Sequence, residues 1–137
     1  MKTQSYNLFK SASTENILKV LDAELQERNE SPIWKLKVVP FSEAILSVLI
    51  PLRDSNSLFD PEGKKADELT PELFLRWSDF VSLKMLYFKM QNSDLDISIL
   101  AEYLSSNNVN LKDEALDFPI STYNLHQGVS NVIKSLL

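Results

Sequence analysis

The sequence predicts an α+β fold, predominantly helical, in a single domain over residues 1–137. Three observations carry that expectation. Four segments, about 14–29, 71–91, 94–105 and 121–136, place apolar residues at helical spacing. One short segment, 33–39, instead alternates apolar residues with lysine. Glycine occurs only twice, at Gly63 and Gly128, where average usage would give roughly ten. Many-stranded barrels and phosphate-binding loops need more positive-φ positions than two glycines supply.

The first helix, 14–29, buries Ile17, Leu18, Leu21 and Leu25, with Ser13 or Thr14 as cap and Glu24–Arg28 as an i,i+4 pair. Asn29 to Pro32 ends it. In 33–39, Trp34, Leu36 and Val38 alternate with Lys35 and Lys37, which reads as a half-buried edge strand. Residues 41–50 fit either a second strand closing a small β-hairpin or a short helix after a single strand. The need of the first strand for a partner favours the hairpin. Residues 53–70 read as a flexible polar loop around Asp60-Pro61-Glu62-Gly63.

The 71–91 helix opens with Thr70 as cap and Pro71 at its first position. It is apolar nearly all round, which predicts a place at the centre of the core or against another chain. A shorter helix, 94–105, carries Leu95, Ile99, Leu100 and Leu104. After a connector over 107–119, the last helix, 121–136, aligns Leu125, Val129, Val132, Ile133 and Leu136 behind a Ser121 cap.

Composition narrows the chemistry. At 44% hydrophobic content the chain can bury a core without covalent staples. With no cysteine it has no disulfide, thiolate metal site or cysteine nucleophile, which suits the cytoplasm. No secretory signal is visible at the N-terminus. The most apolar run, from Val38 to Leu52, is interrupted by Glu43 and two prolines and is too short for a membrane span. His126, the single histidine, has no metal-ligand or nucleophile motif around it and reads as structural. The Asp94-Leu95-Asp96 start of a calcium loop fails at its sixth and twelfth positions, Ile99 and Ser105. Lys35 and Lys37 lack a wider basic patch, so nucleic acid is not expected. Neither a catalytic residue, nor a metal site, nor a cofactor is expected.

The charge is regional. The chain carries a net −5, and residues 90–133 alone hold six acids against Lys112. That pattern points to a basic protein partner, met by Asp94, Asp96, Glu102, Asp113, Glu114 and Asp117 with Tyr103 and Phe118 as anchors. Tyr87 and Tyr123 are further candidate anchors. The functional expectation is a non-enzymatic cytoplasmic protein that binds and neutralises a basic partner, in the manner of an inhibitor, immunity protein or adaptor. The alternatives are a subunit of an oligomeric assembly or a binding protein resembling a secretion chaperone.

Overall fold

The computed structural model describes residues 2–28, 31–115 and 118–137. Among these the chain forms seven helices: α1 (Lys2–Ser11), α2 (Thr14–Glu27), α3 (Pro32–Asp54), α4 (Pro71–Trp77), α5 (Phe80–Met90), α6 (Ser98–Ser106) and α7 (Ile120–Leu136). The α+β expectation is therefore corrected. Among the described residues there is no sheet, only an isolated antiparallel bridge between Phe59 and Lys65.

The decisive difference lies at 33–50, expected as a hairpin or a strand plus a short helix. Both halves belong to the single helix α3. Over five residues an alternating pattern and a helical one share positions. Trp34, Val38 and Phe41 fall at i, i+4 and i+7 and turn inward, while Leu36, expected to face the core with them, is 73% exposed. Pro40 does not break the helix. Its ring removes the N–H that the Leu36 carbonyl would receive, and both residues face solvent, where water can serve that carbonyl.

From Phe41 to Leu52 α3 is buried on nearly every side. Helices α2, α6 and α7 pack around it, so α3, not the 71–91 segment, is the core's central element. The apolar cluster that encloses it draws residues from all seven helices.

The 71–91 segment is two helices. Thr70 caps α4 as its sequence predicts, its Oγ1 accepting from the Leu73 N–H at 3.1 Å. Asp79 then caps a new helix by accepting from the Val81 N–H at 3.2 Å. Ser130 of α7 donates to the Ser78 carbonyl freed at the break. The expected 94–105 helix starts later, at Ser98, because Ser93 and Asp96 spend their side chains on the N–H groups of Leu95 and Ser98 in a turn. Helix α1 was not foreseen. Its buried Phe9 packs on Phe74 at 4.9 Å, and Arg53 donates to the Phe9 carbonyl at 3.0 Å.

Candidate functional site

The outward stripe of α3 is unusual for its apolar exposure. Ile33, Leu36, Pro40 and Glu43 recur at i, i+3, i+7 and i+10 and all face solvent. Beside them, Ile99 on α6 is 46% exposed. Pro40 and Glu43 face Ile99, Glu102, Tyr103 and Ser106 across a groove of about 340 Å³. On the other side of the stripe, Lys35, Val39 and Glu43 face Leu18, Lys19 and Asp22 of α2 across a groove of about 550 Å³. Glu43 belongs to both grooves. The result is one three-helix face, α2–α3–α6, on which Val39, Pro40 and Ile99 stand among the carboxylates of Asp22, Glu43 and Glu102 and the ammonium groups of Lys19 and Lys35.

Tyr103 reaches this face from an engaged position. Its O–H donates to His126 Nε2 at 2.6 Å, because the other ring nitrogen, Nδ1, must donate to the Thr122 carbonyl at 2.9 Å. The imidazole is 2% exposed and stacks on Phe80 at 4.0 Å, with Phe41 edge-on at 5.0 Å. Burial holds His126 below the usual histidine range, and the Lys37 charge adds to that; the bond to Thr122 opposes it. Burial pushes the Tyr103 phenol well above its ordinary value. With both nitrogens committed inside the core, His126 acts as a packing and orienting group for Tyr103.

The structure separates the other sequence-predicted site residues. Glu102 and Tyr103 line the α3–α6 groove. Asp94 and Asp96 are exposed in the turn before α6, and the Ser98 N–H holds the Asp96 carboxyl below the usual range. Asp113 is exposed and accepts from the Ala115 N–H at 3.0 Å. Glu114 lines a different cleft, beside α5. Asp117 lies outside the described residues. Phe118 is half-buried between Phe80 and Tyr123, at ring distances of 5.9 and 6.4 Å, so it serves the core more than an exposed surface. Tyr87 and Tyr123 are likewise half-buried.

The sequence reading missed Ile33, Leu36, Pro40, Glu43 and Ile99. One signal was available: Glu43 stands alone in an apolar run, as a solvent-facing position on an otherwise enclosed helix would.

A second concavity, of about 600 Å³, lies between the 59–65 turn and α5. The Asp60 carboxylate organises the turn by accepting from the Glu62 and Lys64 N–H groups, both at 2.9 Å. Those bonds, the Lys64 one foremost, hold its carboxyl below the usual range, and Arg76 assists. Gly63 takes the positive φ the turn requires, +88°. Trp77 Nε1 donates to the Phe59 carbonyl at 3.2 Å, and Lys89 Nζ sits 4.2 Å from the centre of the Phe59 ring.

Among the described residues no group of three His, Asp or Glu side chains is placed to hold a metal ion, and no helix is long and apolar enough to cross a membrane. Comparison with protein-family models, curated proteins and solved structures finds no match to this chain.

Proposed function

We propose that this chain is a non-enzymatic protein-binding module whose α2–α3–α6 face holds a basic, amphipathic helical segment of a partner protein and so neutralises that partner. The observation that carries the reading is Leu36, 73% exposed on the outward stripe of α3 that leads to Pro40 and to the groove holding Glu43 and Glu102. Large exposed apolar side chains grouped inside a polar rim mark interaction surfaces. An apolar helix face laid into such a groove, with basic residues reaching the rim, is a recurrent recognition mode. The regional negative charge adds attraction for a basic partner, and the cysteine-free chain suits a cytoplasmic setting.

The test is capture from the native host with quantitative mass spectrometry. The wild-type chain is expected to enrich a basic protein that Leu36→Asp and the pair Glu43→Lys with Glu102→Lys both lose. Equal enrichment by all three would remove this face from the interaction. A second reading is favoured by the same exposed stripe: Ile33 and Leu36 would meet a second copy of the chain. Sedimentation decides between them, since self-assembly requires a mass above 15.7 kDa that Leu36→Asp restores to the monomer value.

A further inference from the structure

The sole histidine and the groove between α3 and α6 share one side chain, Tyr103. We propose that the Tyr103–His126 pair is a proton-operated latch, in which protonation of the imidazole releases Tyr103 from its inward seat and reshapes that groove. Its consequence for a partner rests on the function proposed above; the latch itself is a property of the free chain.

Proton counting fixes the resting state. Nδ1 of His126 donates to the Thr122 carbonyl at 2.9 Å, so Nε2 is an acceptor and the Tyr103 O–H donates to it across 2.6 Å. A second imidazole proton turns Nε2 into a donor. Two hydrogens would then face each other over a hydrogen-bond distance, so the phenol must turn its O–H away or move. Beside it stand the rings of Phe41 and Phe80, with centroids 5.7 and 6.4 Å from that of Tyr103. Neither ring offers the displaced O–H a lone pair, and a buried donor left unmet is unfavourable.

The elements packed on the imidazole oppose its charge more than they support it. From α3 come Phe41, edge-on at 5.0 Å, and the Lys37 ammonium, which resists a second positive charge. From α5, Phe80 stacks on the ring at 4.0 Å, while Lys84 donates to the Ala115 carbonyl. The titratable neighbour on α6 is Tyr103, and burial holds its phenol above the ordinary range, so it keeps its proton. Within α7 the Thr122 carbonyl alone favours the charged form. None of these groups is a carboxylate. An imidazolium here is relieved by movement that admits water.

That movement has a short route. Tyr103 is half-buried and already lines the groove with Pro40, Glu43, Ile99, Glu102 and Ser106. Turning its ring outward carries the phenol oxygen to water and opens the imidazole behind it. The groove is only about 340 Å³, so a phenol ring entering it takes space that a partner's side chain would use.

A single histidine and the absence of cysteine make the test specific. The imidazole Cε1–H resonance follows His126 alone, and a trifluoromethyl tag on Ser106→Cys reports the groove. Both are followed from neutral pH downward in a Glu43→Gln, Glu102→Gln background, so that carboxylates, which ordinarily titrate near about 4.3, add no step in the groove. The imidazole is expected to titrate below 6.5 while far-UV circular dichroism stays native, and the fluorine resonance to shift with the same midpoint. In Tyr103→Phe the imidazole should still titrate but the fluorine shift should be lost. His126→Phe, which keeps a ring against Phe80, should lose that shift as well. The proposal is overturned if the fluorine signal holds still while the imidazole titrates, or if its shift survives in either variant. Unfolding of the chain before the imidazole takes up a proton overturns it too. These measurements need no partner, so a failed capture experiment would remove the partner and leave the latch standing.

Discussion

Gly128 lies inside α7, where alanine is ordinarily better than glycine by about 1 kcal/mol. Here the sign reverses. A Cβ at this position would stand 2.6 Å from Cη2 of Trp34, an indole laid across α7 from α3. Gly128→Ala is therefore expected to lower the urea midpoint, and the same change in a Trp34→Leu background to raise it. A gain in the wild-type background would show that the indole moves aside freely. His126 supplies the second residue-scale prediction. Its folded pKa is depressed from 6.5, chiefly by burial, so below that value the unfolded chain takes up a proton that the folded chain resists. The histidine's contribution is fully present above pH 6.5 and is lost as pH falls from there toward the lower folded value. Urea midpoints measured from neutral pH downward should decline in that window, and His126→Phe should flatten the decline there. Tyr103→Phe leaves Nε2 a buried acceptor without its donor and should cost about 1–3 kcal/mol; a cost near zero would mean water replaces the hydroxyl.

At the scale of the element, α3 is where prediction and structure part. Helices α2 and α7 were legible because their apolar residues keep a helical spacing that no other period imitates over fourteen or more residues. In 33–39 the chain offers only a few informative positions, and Pro40 is a tolerated interior proline that local sequence does not distinguish from a helix breaker. Exposure follows from the packing of α2 and α6 beside α3, which local sequence does not contain. Leu36, Glu43 and Ile99 are therefore not singled out by the sequence, whereas charge patterning singles out Glu102, with Tyr103 beside it as an aromatic anchor candidate. The break inside 71–91 did have a local sign: Asp79 is an N-cap residue set within an apolar run. Asp79→Ala should destabilise the protein by about 1 kcal/mol. Pro40→Ala should do the opposite. It restores an N–H to the Leu36 carbonyl, recovering part of the interior-proline penalty of about 3 kcal/mol, against about 0.4–1 kcal/mol lost because the unfolded chain becomes less restricted. Thermal unfolding of the two variants reads both signs, and a destabilised Pro40→Ala would mean that the proline's bend seats Val38 and Phe41 in the core.

For the whole molecule, the proposed partner face divides two jobs between two kinds of residue. Long-range attraction depends on charge and is screened over about 10 Å at 0.1 M salt, so it acts on encounter. Short-range apolar contact acts after docking, and differences among variants of one interface fall mostly on dissociation. Glu43 and Glu102 belong to the first kind, Leu36 and Ile99 to the second. With the captured partner in hand, Glu43→Gln with Glu102→Gln should slow association several-fold at low salt and flatten its salt dependence. Leu36→Ala should leave the salt dependence as it was and hasten dissociation by about tenfold or more, the size expected where a large apolar side chain anchors the partner. Asp113 and Glu114, outside the face, should alter the association rate less than the groove pair does. Stopped-flow kinetics across a salt series separates these effects. If Asp113 and Glu114 govern the salt dependence while Glu43 and Glu102 do not, the partner approaches the connector and not the α3–α6 groove, and the functional face must be moved there.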